Sequence, residues 1–151
     1  MRRHDKQMAN KLDIETAIRE ASVCYLGLCD GEVPYVVPLS FGYEPGRIFF
    51  HSAGQGRKLD VIRRNPRVSF AFAVDVAPVP GDVSCAWTMR YRSVVGEGHA
   101  VIVTEAKEKT HALDLIMAQY GGGAGGYDPR RLSAITVVRV DIETMTGKHS
   151  G

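Results

Sequence analysis

Long apolar runs are missing from this sequence. Nowhere do the roughly 18 uninterrupted apolar residues of a membrane span occur, and the opening "MRRHDKQMANKLD" lacks the apolar centre of a secretory signal. Cysteine is scarce. Cys24, Cys29 and Cys85 are odd in number and have no CxxC spacing, which argues against a disulfide framework or a zinc knuckle and leaves reduced, structural thiols. An excess of one charge is also lacking: 19 Lys and Arg against 17 Asp and Glu give a formal net charge of +2, too mild to imply a nucleic-acid partner. There is no GxxxxGK[ST], so nothing supports nucleoside triphosphate hydrolysis. "GGGAGG", Gly121 to Gly126, satisfies GxGxxG only as a string; it follows a helical pattern rather than a strand and reads as a flexible loop. His99 and His111 have neither the spacing nor the neighbours of metal ligands, so no metal is expected. The expectation is a cytoplasmic protein with no membrane and no nucleic-acid partner, built as a single domain over residues 1–151.

What is present is the composition of an ordinary globular protein, 44% hydrophobic and 24% charged, in a chain long enough to bury a core without staples. "LDIETAIREA" sets Ile14, Ala17, Ile18 and Ala21 at helical spacing behind Asp13, which reads as the N-cap. The period then changes to that of strands. "SVCYLGLC" leads to the hairpin signal Asp30-Gly31, "VPYVVPLSFGYE" follows, and Pro45-Gly46 turns into "RIFFHSA", predicting three strands in an antiparallel meander. Pro34 and Pro38 cannot donate to a ladder, so the second strand is bent, bulged or partly at an edge.

"RKLDVIRRN" predicts a short helix with Leu59 and Ile62 inward, stopped before Pro66. "RVSFAFAV" predicts a strand with Val68, Phe70 and Phe72 on one face, and "DVAPVPGDVS" a loop. "CAWTMRYRSVVGEGHAVIVT" is a long strand bent near Gly96 and Gly98. "EAKEKTHALDLIMAQYG" is a helix with Ala112, Leu115 and Ile116 among its apolar positions, and "AITVVRVDIETMTGK" closes as a strand. Many antiparallel strands with three or four short helices predict a mainly β fold, a barrel with helical decoration. Phe49 and Phe50 are expected to pack it.

The stretch "FFHSAGQGRKLD" joins strand to helix. Arg57 and Lys58 in a helix's first turn are poorly placed against the helix dipole, unless an anion occupies the same end. Backbone N–H groups, the Ser52 hydroxyl and both side chains could then converge on one phosphate, with Gly54 and Gly56 allowing close approach. The alternative is a solvated helix start. His51 reads either as a half-buried strand residue or as a group beside a ligand. Trp87 and Tyr91 share a face if the strand is regular, fitting an interface core or ring stacking. Arg90 and Arg92 share the opposite face, as a solvated pair or a ligand contact.

In combination, "PYVVPLSFGYEPGRIFFHSAGQGRKLDVIRRNPRVSF", "CAWTMRYRSVVGEGHAVIV" and "EKTHALDLIMAQY" resemble the flavin-binding split-barrel proteins related to pyridoxamine 5'-phosphate oxidase, most closely the nitroimidazole-resistance (Nim-type) branch. The resemblance runs from "MRRHDK" to the last strand. It implies a six-stranded antiparallel split β-barrel and a homodimer with two FMN molecules at the subunit interface. By position it implies Val37, Pro38, Leu39 and Ser40 along the isoalloxazine, His51, Ser52 and Ala53 beside the ring and ribityl chain, and Arg57 and Lys58 on the phosphate. Trp87, Tyr91, Arg92 and Ser93 would reach the partner's flavin, with Arg92 near the pyrimidine end. No catalytic residue is implied. The tail "ETMTGKHSG" lacks the substrate-binding arginine and histidine segment of true pyridoxamine phosphate oxidases, so that reaction is not expected. The implied activity is an FMN-dependent oxidoreductase acting on a small-molecule substrate such as a nitroaromatic or quinone. The alternatives are a non-catalytic flavin store, carrier or sensor, or a barrel adapted to a deazaflavin or to haem, with His51 or His99 on the iron.

Overall fold

The computed structural model describes residues 4–151; Met1, Arg2 and Arg3 of the opening stretch lie outside the described residues. Helix α1 (Lys11–Glu20) is followed by strands β1 (Cys24–Asp30), β2 (Val33–Leu39), β3 (Gly42–Glu44) and β4 (Arg47–Ala53). Helix α2 (Arg57–Arg64), strands β5 (Arg67–Val79) and β6 (Thr88–Val103), helices α3 (Ala106–Gln119) and α4 (Pro129–Ala134), and strand β7 (Ile135–Ser150) complete the chain. The cap of α1 is Asn10, whose Oδ1 accepts from Leu12 N at 2.9 Å, rather than Asp13, which lies in the first turn. An asparagine one residue ahead of the helix meets the N-cap requirement before Asp13 can.

All strands among the described residues form one antiparallel sheet in the order β2-β1-β5-β6-β7-β4-β3. The predicted meander is therefore corrected. The stretch read as one second strand is two: β2 pairs with β1 at one edge, and β3 pairs with β4 at the other. That split raises the strand count from the expected six to seven. Only Ser40 and Phe41 separate the two edges, so at about 3.8 Å per residue Leu39 and Gly42 lie no more than about 11 Å apart. Opposite edges of a seven-stranded sheet approach this closely only if the sheet curls on itself, which makes it a split barrel. The prolines account for the placement: Pro34 and Pro38 fall on an edge strand, where a missing donor costs no ladder bond.

The barrel interior is filled by alternate residues, among them Leu26, Phe50, Phe70, Phe72, Val94, Val138 and Val140, all buried. Phe49 faces the other way. It is buried with Leu113, Ile116 and Val137 beneath α3, so the two adjacent phenylalanines serve two cores rather than one. In α3 the buried positions are Ala112, Leu113 and Ile116, with Leu115 only packed at the margin. The stretch predicted as a loop after Val74 continues instead as strand to Val79, paired with Thr88 to Arg90 after a bulge at which Asp75 takes φ 56°.

The bend in β6 lies where expected, with a register shift against β7 at Glu97/Gly98. Glycine is required at both neighbouring positions. A Cβ on Gly96 would fall 2.3 Å from Phe70 Cζ, and one on Gly98 2.3 Å from the Asp141 carbonyl oxygen. No helix among the described residues is long and apolar enough to cross a membrane.

Candidate functional site

The crossing at Ser40 and Phe41 closes the barrel only at one level. β3 pairs with β4 at Arg47, Ile48 and Phe49 and goes no further, leaving His51, Ser52 and Ala53 without a strand on that side. β2 likewise has a strand, β1, on one side only. The two lips of the split are thus the outer edge of β2 and the last residues of β4. Along them Val37 and Leu39 turn toward the core while Pro38 and Ser40 are exposed; Ser52 is buried while His51 and Ala53 point outward.

The split ends at α2. No side chain among the described residues caps this helix, whose N-cap is Gly56 at φ 140°, a conformation that L side chains rarely adopt. Leu59 N and Asp60 N both turn back to the Gly56 carbonyl, at 2.9 and 3.2 Å. The preceding amides are left to meet whatever lies in front of the helix.

Arg57 is held from two sides. Its Nε donates to Asp30 Oδ2 at 3.3 Å, and its guanidinium carbon lies 4.4 Å from the centre of the Tyr35 ring. Arg64, seven residues on and so on the same face of α2, donates to the other oxygen of Asp30 at 2.5 Å. Partial burial alone would raise the Asp30 carboxyl, but the hydrogen bonds from Arg57 and Arg64 outweigh it and hold it below its ordinary value of 3.8. These pairs are therefore intact at neutral pH and open only as acid carries the medium through that lowered value. The terminal nitrogens of Arg57 make no hydrogen bond among the described residues. Lys58 is half-buried and has no anionic partner there, so burial alone pulls its ammonium below the usual lysine range. A cation desolvated without a partner, beside a guanidinium with free nitrogens and an uncapped helix start, is an arrangement that an anion would complete.

Asp30, Tyr35 and Arg64 are absent from the sequence-based site. The spacing of Arg57 and Arg64 was a usable signal, since i and i+7 share a helix face, but nothing local says that the β1–β2 turn folds back onto that face. Ala134 of α4 also closes on this corner, its carbonyl oxygen 3.7 Å from a Cβ built on Gly54.

The remaining predicted residues lie elsewhere. The register of β1 on β5 brings Asp30 level with Pro66, whereas Arg92 pairs with Val74, eight residues further along β5. At about 3.3 Å per residue this is about 26 Å. Trp87 precedes β6, following a 3₁₀ turn at Ser84–Ala86, so it does not share strand periodicity with Tyr91; it is 55% exposed. Ser93 and Tyr91 lie on the outer face with Val95. Arg92 has the opposite parity and is partly exposed but not free: Nε donates to Asp75 Oδ2 at 2.7 Å and Nη2 to Glu20. Of the cysteines, only Cys24 is buried, and burial pushes its thiol up to about 12; Cys29 is half-buried and Cys85 exposed. His111 bonds Glu44 Oε2 at 2.9 Å, a surface role.

The curled seven-stranded sheet, its two-residue crossing and the open lips beside α2 define a split-barrel protein. The chain belongs to the pyridoxamine 5'-phosphate oxidase family, whose model matches residues 10–149. Among solved structures it is similar to a candidate 5-nitroimidazole antibiotic resistance protein from Bacteroides thetaiotaomicron, at 34% identity and TM-score 0.85 over 94% of this chain and 85% of that one. The flavocytochrome Anf3 of Azotobacter vinelandii shares the fold at 17% identity and TM-score 0.87, over 100% of this chain and 72% of that one. A FAD-binding protein from Mesorhizobium loti does so at 21% identity and TM-score 0.71, over 97% and 98%. No curated protein matches the sequence.

Proposed function

We propose that the protein is an FMN-binding oxidoreductase that works as a homodimer and passes electrons from a reduced donor to a small electrophile such as a nitroaromatic or a quinone. The observation that carries this reading is the start of α2, where, among the described residues, the half-buried Lys58 has no anionic partner and Arg57 is held with its terminal nitrogens free. The phosphate monoester of FMN supplies two negative charges to such a corner. Two or three charge-assisted hydrogen bonds of about 1.5 to 3 kcal/mol each account for much of the roughly 8 kcal/mol of micromolar binding. When bound, FMN supplies the hydride and electron chemistry. The chain's own part is to hold and orient: Arg57, Lys58 and the Ser52 hydroxyl on the phosphate, Val37, Pro38, Leu39 and Ser40 along one lip, His51 and Ala53 along the other. The similarity to a candidate nitroimidazole resistance protein, the one relative above at 34% identity, supports a nitro group as the acceptor class.

Two features support the dimer. A row in register across five strands, Pro38, Tyr25, Ala71, Val95 and Thr146, faces outward, with Tyr25 48% and Val95 54% exposed, and Val36 beside it is 62% exposed. An apolar stripe of this kind on a sheet face is what an interface covers. Trp87, Tyr91 and Ser93 also lie far along the sheet from the clamp of their own chain: Ser93 is level with Ala73, seven residues or about 23 Å beyond Pro66, and Tyr91 and Trp87 lie further still. They complete a flavin site only by meeting the flavin of a second copy.

The direct test is the visible spectrum of freshly purified protein, with mass spectrometry of the molecule released on denaturation. Flavin absorbance and the mass of FMN are expected, and a colourless protein that takes up no FMN overturns the reading. Holoprotein with reduced nicotinamide and a nitroaromatic should consume the donor faster than free FMN does. Equality would leave a store, carrier or sensor. Arg92 enters as the cation near the pyrimidine end, although Asp75 and Glu20 offset its charge. If its charge still reaches the ring, Arg92→Ala lowers the flavin midpoint potential with binding retained, and an unchanged potential in redox titration removes Arg92 from that role.

A further inference from the structure

Far from the clamp, a cleft of about 810 Å³ opens between the segment that leads into α1, the bulge of β5, the start of β6 and the end of β7. Its volume falls in the range of small-molecule sites. Arg90 and Arg92, two residues apart on β6, present the same face to it. His149 lies directly across from Arg92 on β7 and shares that face. Arg92 is spoken for by Asp75 and Glu20. Asp75 meets it from a left-handed backbone conformation, φ 56°, that a non-glycine residue adopts only when its surroundings impose it. Arg92 is thus a committed wall whose single positive charge is more than offset by two carboxylates.

Arg90 is different. It is exposed, and its guanidinium makes no ion pair or hydrogen bond among the described residues. Its stem crosses the end of β7 over Gly151, where a Cβ would fall 2.7 Å from Arg90 Cγ. The opposite wall carries Asp13, exposed and likewise without a hydrogen bond or ion pair among the described residues. One wall therefore offers an uncommitted guanidinium with an imidazole beside it, and the other an uncommitted carboxylate.

We infer that this cleft is a second small-molecule site, taking a small organic monoanion whose carboxylate meets Arg90 and His149 and whose other end donates a hydrogen bond to Asp13. A guanidinium favours the planar, two-oxygen geometry of a carboxylate. Asp13 and Asp75 repel additional negative charge, so a polyanion such as a nucleotide is disfavoured. The site is distinct from the phosphate clamp, to which none of Arg90, His149 or Asp13 belongs, although Tyr91 and Arg92, which line the cleft, are also assigned to the partner's flavin in the proposed function.

The test is calorimetric titration of the purified full-length protein with 4-aminobenzoate, and with 4-aminobenzamide as its uncharged counterpart. The acid is expected to bind at least about tenfold more tightly than the amide. Arg90→Met should abolish that preference and Arg90→Lys retain part of it, with the melting temperature unchanged because Arg90 is exposed. Asp13→Asn should weaken the acid less than Arg90→Met does. Equal binding of acid and amide, equal binding by the wild type and Arg90→Met, or no binding of the acid below about 10 mM would each overturn the proposal. The flavin content of each sample, read from its absorbance, reports on the clamp separately.

Discussion

Replacing Lys58 by alanine is expected to strip FMN from the protein while leaving the dimer assembled. One charge-assisted contact to a phosphate is worth about 1.5 to 3 kcal/mol, so the dissociation constant should rise roughly 10- to 150-fold. The folded protein without ligand should respond in the opposite direction. Burial holds Lys58 below the free value of 10.5, so the folded chain binds the proton less readily than the unfolded chain does. Stability then rises with pH between the lowered value and 10.5, and below that window the buried ammonium is a net cost. Lys58→Ala removes the cost. Thermal melts should show the variant at least as stable as the wild type without FMN and less stable with saturating FMN, because bound ligand stabilises only the state that holds it. Stoichiometric FMN in the variant, or a wild type that gains nothing from FMN, would place the phosphate elsewhere.

The largest effect on stability is expected at Phe41. This residue lies in the two-residue crossing that joins the sheet's edges and is fully buried, its ring 4.9 Å from that of Phe72 and 6.5 Å from that of Tyr120. Its N–H donates to Tyr120 Oη at 3.1 Å, and that hydroxyl donates to the Ser22 carbonyl at 2.9 Å, tying the crossing to the end of α3 and the approach to β1. Phe41→Ala leaves a cavity where three segments meet and should cost about 3 to 5 kcal/mol, against a total stability of about 5 to 15 kcal/mol for a typical domain. Urea unfolding should show the shift in midpoint. Tyr120→Phe keeps the ring and loses only the hydroxyl, so about 1 kcal/mol is expected. A loss below about 1 kcal/mol in Phe41→Ala would mean that the crossing does not seal the barrel.

The two predictions rest on features of unequal visibility in the sequence. Lys58 could be singled out because the conflict between a cation and a helix N-terminus is local: it needs only the helix start after Gly56 and the charge that follows. Phe41 could not. It reads as one more apolar residue in "VPLSFGYE", and its weight comes from the edge-to-edge crossing, which depends on which strands pair.

The same division runs through the rest of the molecule. Alternation in "RVSFAFAV" was enough to place Val68, Phe70 and Phe72 inside, since a strand with one buried face must alternate. Phe49 and Phe50 defeated that logic because β4 is covered on both sides, by the barrel interior and by α3. The extension of β5 through "DVAPV" defeated the loop reading because cross-strand bonds from Thr88 to Arg90 and the bulge at Asp75 outweigh the weak strand preference of Pro and Asp.

By itself, the sequence determined the types of most elements, that the proline-bearing second strand is bent, bulged or partly at an edge, and the glycines of the β6 bend, because each follows from backbone sterics or from a period short enough to read locally. Only the tertiary structure decided that β2 and β3 stand at opposite edges, that Asp30 and Tyr35 hold Arg57, and that Arg92 is committed to Asp75 and Glu20 while Arg90 is not. Those outcomes depend on contacts between residues far apart in the chain, whose energies no local pattern encodes.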